Sequence, residues 1–253
     1  MIEVGDAQLL GWLGAFLSPF FRILGLFSSA PILSQRAVPV RVRIAFSLLL
    51  AALVAPLLPD NPGVRVDTAT GVLALAGETL IGFAIGMVAR VVLAAVEIAG
   101  EAVGLQMGLS FAGFFDPASG QLNAVSRLMN TLSLAVFVAM NGPAVLVLAT
   151  VRSFELIPPA TSLQDWLPRL DVASLGAGMF ELGVTIALPF MALLLFANFA
   201  LGVISRIAPQ LNIFAIGFPV TIGAGLVLLA LGLPLMQAPF ELMIERIVEA
   251  LGR

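Results

Sequence analysis

The chain has 253 residues, of which 60% are hydrophobic and 11% are charged, and its mean hydropathy is +1.10. Ordinary soluble domains carry about 25% charged residues. A soluble fold of this length has too little polar surface to keep so many apolar side chains from water, so lipid or partner subunits must cover them. The composition excludes an ordinary soluble domain and predicts an all-α, polytopic membrane protein with a single domain over residues 1–253.

The missing residue types restrict the chemistry. The chain contains no Cys, His, Tyr or Lys, and all twelve basic residues are Arg. It therefore lacks disulfides, thiol nucleophiles, the commonest general base and metal ligand, and a Schiff-base lysine. The net charge of −3 and the absence of a basic tract give no indication of a nucleic-acid partner. We expect no enzymatic activity, no cofactor and no metal ion.

Six apolar stretches predict helices in chain order. The third is about 55 Å long as a helix, which exceeds the hydrocarbon core of about 30 Å, so it must project, bend or tilt. The N-terminal residues carry two acids and no Arg, unlike a signal peptide. The tail from Gln237 to Arg253 predicts an amphipathic helix, with Phe240 on its apolar face and Glu241 on its polar face. The six stretches are residues 7–33, 42–58, 68–104, 122–150, 172–205 and 213–235.

Charged residues within these stretches are expensive at a lipid-facing position and should face protein, a wet passage or a partner. Arg90 and Glu97 lie about 20° apart around a helix, and Glu97 and Glu101 lie about 40° apart. These three residues predict an inter-subunit polar face, unless this end of the helix simply emerges into water. Glu78 lies off this face and predicts an isolated residue with a buried partner.

Glycines at a spacing of four predict close helix packing in the third stretch. Gly82 and Gly86 form one such pair, and Gly100, Gly104 and Gly108 form a series. This spacing allows the backbones of neighbouring helices to approach each other.

The segment from Gly104 to Gly120 reads GLQMGLSFAGFFDPASG and does not suit a regular helix, because it contains four glycines and an Asp-Pro turn signal. It is also too apolar for a free aqueous loop. Two interpretations follow: the segment lines or plugs a passage, or it folds back into the core of its own chain. The candidate plug residues are Gln106, Met107, Gly108, Leu109, Phe111, Gly113, Phe114, Phe115, Asp116 and Pro117.

A second break lies in RIAPQLNIFAIGFP, from Arg206 to Pro219. Proline ends a helix, and neighbouring amides can satisfy the freed backbone groups. Such a break occurs at transporter binding sites and also in ordinary tight helical hairpins. The candidate residues of this helix break are Arg206, Pro209, Gln210 and Asn212.

Three stretches together resemble the FliR/SctT family of type III export-gate proteins. They are APILSQRAVPVRVRIAF (Ala30–Phe46), AGEAVGLQMGLSFAGFFDPASG (Ala99–Gly120) and SRIAPQLNIFAIGFPVTIGAGL (Ser205–Leu226). The resemblance extends over nearly the whole chain. One departure is the Asn-Gly-Pro at Asn141–Pro143, where many relatives are expected to have His after Asn-Gly.

The resemblance implies a non-enzymatic core subunit of the flagellar type III export gate in the bacterial inner membrane. It implies assembly with FliP and FliQ, with FlhB and FlhA as neighbours, and passage of unfolded flagellar proteins through the gate. The gate would sit partly above the membrane plane, and the loop Gln106–Gly120 would help to close it. The alternatives are a virulence-type (SctT-like) gate subunit, a small-molecule secondary transporter and an intramembrane enzyme using Glu or Ser. The last two lack repeated halves and a recognisable catalytic constellation, respectively.

Overall fold

The computed structural model describes residues 6–35, 38–58, 64, 68–109, 123–159, 161, 166, 172–208, 213–232, 234 and 237–243, without the side chains of residues 6–10, 172 and 213–215. Regular structure in these ranges is entirely helical. A short 3-10 helix (Ala55–Leu57) follows the second α-helix. The α-helices are α1 (Asp6–Ser29), α2 (Val40–Val54), α3 (Ala69–Gln106), α4 (Ala124–Ala139), α5 (Gly142–Leu156), α6 (Val172–Ile207) and α7 (Ile213–Leu231).

The predicted apolar stretches coincide with these helices, with one exception. The fourth stretch forms two helices, α4 and α5, because the chain turns at Asn141, which has a left-handed φ of 57°. Pro143 follows at the start of α5, where its missing N–H is tolerated. Pro19 in α1 and Pro189 in α6, by contrast, lie inside continuous helices.

Four helical segments within the described ranges are long and apolar enough to cross a membrane: Gly11–Ser29, Val40–Leu57, Ala69–Gln106 and Ala173–Ile207. The count becomes five if the bent pair α4 and α5 forms one span. The prediction of an all-α, polytopic membrane-type protein is confirmed.

The chain forms two compact units. The first comprises Met1–Arg90, Met140–Ala173 and Leu242–Arg253, and the second comprises Val91–Ala139 and Ser174–Glu241. The first unit thus contains α1, α2, α5 and the beginning of α3. The second contains the rest of α3 together with α4, α6 and α7.

In the first unit, α1 and α3 pack backbone to backbone. A Cβ added at Gly82 on α3 would collide with the carbonyl oxygen of Arg22 on α1. A Cβ at Gly25 on α1 would collide with the carbonyl oxygen of Thr79. A Cβ at Gly86 would collide with Oγ of Ser29 and would lie 2.9 Å from the carbonyl oxygen of Leu26. The prediction that Gly82 and Gly86 mark close packing is confirmed, because no larger residue fits at this crossing.

A buried ion pair lies beside this crossing. The Arg22 guanidinium is fully buried, and its Nε donates to Oε2 of Glu78 on α3 at 2.6 Å. Its two terminal nitrogens donate to Oγ of Ser153 and to the carbonyl oxygen of Ile157, each at 2.9 Å. Phe154 covers the guanidinium, whose carbon lies 3.7 Å from the ring centroid. The prediction that Glu78 has a buried partner is confirmed.

The second unit has its own apolar core between α3, α4, α6 and α7. Gly100 on α3 allows the backbone of Ser126 on α4 to approach, and Gly183 on α6 lies against the carbonyl oxygen of Ala95. Of the predicted series, Gly100 thus marks a close helix contact, whereas Gly104 makes room for the Asn123 side chain and Gly108 has a left-handed φ beyond the end of α3. The core comprises Val96, Ala99, Val103, Met107, Val125, Met129, Ile186, Ala187, Phe190, Leu194 and Leu229.

The beginning of the predicted amphipathic tail lies within the described residues. Phe240 is fully buried, and its ring centroid lies 5.7 Å from that of Phe137 on α4. Glu241 is exposed. The two faces are thus as predicted for these residues, and the remainder of the tail lies outside the described residues.

Candidate functional site

The end of α3 is capped by its own backbone, directly before the apolar Gly-rich segment. Gly108 has a φ of 79°, the left-handed region that favours glycine. The Gly108 N–H donates to the carbonyl of Leu105, and the Leu109 N–H donates to the carbonyl of Gly104, both at 3.0 Å. This pair of bonds is a Schellman motif, in which a glycine ends the helix and satisfies its last carbonyls. Gly108 is therefore the glycine of this cap, and its left-handed φ allows the two bonds that end α3.

Side chains from two other helices satisfy the remaining carbonyls of this helix end. Nδ2 of Asn198 on α6 donates to the Gln106 carbonyl at 3.1 Å. Oγ1 of Thr221 on α7 lies 3.4 Å from the Met107 carbonyl, and it also contacts carbonyls of its own helix. Because an unsatisfied carbonyl in a buried position costs about 1–3 kcal/mol, these contacts hold the end of α3 against α6 and α7.

The Met107 side chain lies within the chain's own core. It is 1% exposed and belongs to the apolar core of the second unit. A Cβ added at Gly225 on α7 would lie 2.5 Å from both Sδ and Cε of Met107. Met107 thus occupies a notch that exists because residue 225 has no side chain. Of the two interpretations of this segment, the burial favours, at this residue, packing into the chain's own core.

The other end of the Gly-rich segment is capped as well. Asn123 directly precedes α4, and its Oδ1 accepts a hydrogen bond from the Ser126 N–H at 2.8 Å, as an N-cap does. The Glu101 carboxylate on α3 accepts two hydrogen bonds from Asn123, from the backbone N–H at 2.9 Å and from Nδ2 at 2.8 Å. Glu101 therefore ties the start of α4 to α3.

Glu97 has a similar partner one turn earlier on α3. Its carboxylate accepts a hydrogen bond from Nδ2 of Asn130, and its carbonyl accepts one from Oγ of Ser126 at 2.9 Å. Glu97 and Glu101 thus both face α4 and are half-buried, whereas Arg90 is exposed. Both carboxylates of the predicted polar face thus have hydrogen-bond partners within the chain.

Most of the remaining sequence-predicted site lies outside the described residues. Arg206, one of the helix-break residues, is described, and it is exposed in the last turn of α6. The candidate site residues that lie outside the described residues are Phe111, Gly113, Phe114, Phe115, Asp116, Pro117, Pro209, Gln210 and Asn212.

The sequence interpretation missed the residues that hold this site together: Asn123, Asn198, Thr221 and Gly225. A signal for two of them was present. Asn123 directly precedes an apolar run, which is typical of an N-cap, and Asn198 interrupts the apolar sequence MALLLFANFAL in α6. Among the described residues, no group of three or more acidic side chains could hold a metal ion. The described contacts hold the end of α3, and with it the start of the following loop, against α6 and α7.

Comparison with known proteins gives a consistent result over nearly the whole chain. The family described as Bacterial export proteins, family 1, matches residues 13–247. Flagellar biosynthetic protein FliR of Escherichia coli (strain K12) is 41% identical over 241 residues, covering 95% of this chain and 92% of that protein. The FliR protein of Pectobacterium carotovorum is 37% identical over 253 residues, covering 100% and 97%. That of Bacillus subtilis (strain 168) is 30% identical over 223 residues, covering 85% and 84%.

Proposed function

This chain belongs to the FliR family of bacterial export proteins, and we infer from that membership that it is a subunit of the flagellar type III protein export apparatus in the bacterial inner membrane. The observation that carries this conclusion is the family match over residues 13–247, together with 41% identity to a FliR protein over 95% of the chain. The long apolar helices agree with a membrane location. The family is a structural component of secretion, and we propose that this chain catalyses no reaction.

Within this apparatus, we propose that the chain helps to form and close the channel through which unfolded flagellar proteins leave the cell. The support is the segment between α3 and α4, which is rich in Phe and Gly and is bounded by a helix cap on each side. In this proposal Phe111, Phe114 and Phe115 provide the apolar seal, and Gly108 and Gly113 are hinges.

Deletion of Leu109–Phe115 tests the seal. We expect the assembled complex to conduct ions in its resting state, because the apolar obstruction has been removed. The measurement is ion conductance of the purified complex in planar bilayers, with Glu155→Gln, at an exposed position on α5, as the control substitution. An assembled deletion variant that conducts no more than the unaltered complex would show that this loop is not the seal.

We propose FliP and FliQ as the co-subunits of this gate, FlhB and FlhA as its neighbours, and a position of some helices at the periplasmic level. An apolar face on α6 supports partners of this kind. Exposed large apolar side chains extend along it from Phe180 to Ile207, which is about 40 Å of helix. A hydrocarbon core of about 30 Å cannot cover this length, so other apolar protein surfaces are the natural cover for the remainder.

Native mass spectrometry of the tagged chain, extracted gently from its own membrane, tests the assembly. We expect a large complex with one copy of this chain and several copies of two other small membrane proteins. A monomer or homodimer that persists in several detergents would contradict the gate and would favour a secondary transporter. The relatives' names are flagellar, and no observation favours a virulence-type gate.

We also propose that Arg90, Glu97 and Glu101 contribute to an inter-subunit polar face, in which the two carboxylates meet cations of neighbouring subunits. A carboxylate has about four acceptor positions, so the bonds that Glu101 accepts from Asn123 leave room for such a cation.

Paired substitutions separate the two roles of Glu101. Glu101→Gln keeps an acceptor for Asn123 and removes the charge, whereas Glu101→Arg reverses the charge. If the cation contact exists, Glu101→Arg and Glu97→Arg weaken co-purification of the partners, and Glu101→Gln weakens it less. Intact complexes in both Arg variants would argue against the inter-subunit role.

A further inference from the structure

One face of α7 holds the end of α3. Phe218, Thr221 and Gly225 recur at intervals of three and four residues and therefore share a side of the helix. All three contact the last residues of α3 and its cap. Thr221 lies beneath the Met107 carbonyl, and Gly225 lies against the Met107 side chain. A Cβ added at Gly108 would lie 3.1 Å from the Phe218 ring, so this ring also lies against the cap.

These contacts specify where the segment after α3 begins. Met107 is nearly inaccessible to solvent, and its position depends on the absence of a side chain at residue 225. Asn198 holds the preceding carbonyl from α6. The Schellman cap then sets the backbone direction at Gly108. A small displacement of α7 towards α3 would therefore displace the start of the loop, because the space between Gly225 and Met107 is too small even for a methyl group.

We propose that Gly225, with Thr221 and Phe218, is a positioning residue for Gly108 and Leu109, where the loop after α3 begins, so that α7 sets the location of this starting point through the Met107 side chain. This assignment rests on the proposed closure function only for its physiological consequence, because the contact itself exists in the chain irrespective of what the loop obstructs. It gives α7, which contains no charged residue, a specific role beyond that of an apolar helix.

The experiment compares two glycines of the same helix. Gly225→Ala places a methyl group against Met107, whose flexible side chain must leave the notch. Gly223→Ala is the matched control, since a Cβ at Gly223 meets nothing within 4 Å. In every variant this chain also carries Leu109→Cys, which is its only cysteine because the natural chain has none. The chain is tested within the complete complex. The readouts are the labelling rate of that cysteine by a water-soluble methanethiosulfonate reagent and the ion conductance of the same complex.

We expect Gly225→Ala to raise the labelling rate at least about fivefold, the change that corresponds to the smaller costs of overpacking a core, and Gly223→Ala to leave it unchanged. Increased labelling together with ion conductance supports both the positioning role and the seal. Increased labelling without conductance supports the positioning role and contradicts the seal. Unchanged labelling in an assembled Gly225→Ala complex overturns the positioning role, whatever the conductance.

Two further variants keep the test decisive if Gly225→Ala does not assemble. Thr221→Val conserves the shape of the side chain and removes only the hydroxyl group near the Met107 carbonyl. Asn198→Leu removes the donor to the Gln106 carbonyl. We expect each to raise labelling of the introduced cysteine, and the combination to raise it further. If the combined variant labels at the rate of the unaltered complex, α6 and α7 do not position the loop.

Discussion

The buried ion pair between Arg22 and Glu78 leads to a quantitative prediction about the first unit. Both side chains are within 2% of complete burial, and Nε and Oε2 are 2.6 Å apart. Removal of one member leaves the other charge buried without compensation, which costs about 3–5 kcal/mol. We therefore expect Arg22→Met and Glu78→Gln each to lower the free energy of unfolding by about this amount.

The double variant separates the ion pair from the remaining contacts. With both charges gone, the main remaining loss is the donor to the Ile157 carbonyl, which costs about 1–3 kcal/mol when unsatisfied. The Ser153 hydroxyl keeps its bond to the carbonyl of Thr150 at 2.6 Å. We expect Arg22→Met with Glu78→Gln to be less destabilised than either single variant, so the two effects are strongly non-additive.

The assay is reversible unfolding of the full-length chain in mixed detergent micelles by a titration with sodium dodecyl sulfate. Trp166, which is 3% exposed in the first unit, provides the fluorescence signal in a Trp12→Phe background, since Trp12 is 61% exposed. Arg152→Met and Glu155→Gln are controls because both residues are exposed on α5. Single variants within about 1 kcal/mol of the unaltered chain, or a double variant that loses the sum of both singles, would refute the account of a coupled buried pair.

Three further predictions concern helix contacts and caps. Gly82→Val should prevent close packing of α1 and α3 and cost at least as much as overpacking of a core, about 1–3 kcal/mol; in the same unfolding assay Gly176→Val on α6 should have little effect, because a Cβ there meets nothing within 4 Å. Asn123→Ala should lose about 1 kcal/mol through the missing N-cap, and faster amide hydrogen exchange at Ser126 is the measurement; unchanged exchange would contradict the cap. Gly108→Ala should cost about 1–2 kcal/mol because its φ is left-handed, and an Asn at this position should cost less; equal stabilities would argue against the left-handed cap.

Much of the helical architecture could be predicted from the chain. Apolar runs of membrane length gave the positions of α1, α2, α3, α6 and α7, because a continuous apolar run favours a helix wherever lipid or protein replaces water. The division of the fourth stretch into α4 and α5 was not predicted. Its cause is the left-handed Asn141 followed by Gly142 and Pro143, a turn signal that an apolar average conceals.

The candidate site was predictable only in part. The low helix propensity of glycine predicted the end of the third helix at about Gly104, and the structure ends α3 two residues later, at Gln106, with a Schellman cap at Gly108. The face shared by Glu97 and Glu101 also followed from helical geometry. The partners of these carboxylates could not be predicted in this way. Their donors are the uncharged side-chain amides of Asn123 and Asn130, which a search for opposite charges does not reveal.

The sequence by itself determined that this is a membrane-type helical protein, where its helices run, and which residues share a face, since these properties depend on composition and on the local period of the helix. The tertiary structure alone decided which helix faces pack against each other. Arg22 pairs with Glu78, which is 56 residues away in the sequence, and Gln106 at the end of α3 accepts a hydrogen bond from Asn198, which is 92 residues away. The physical reason is that helical periodicity orients a side chain around its own axis, whereas its partner depends on how several nearly uniform apolar helices pack, and this packing is selected by the few sites where glycine permits contact or a buried polar group requires it.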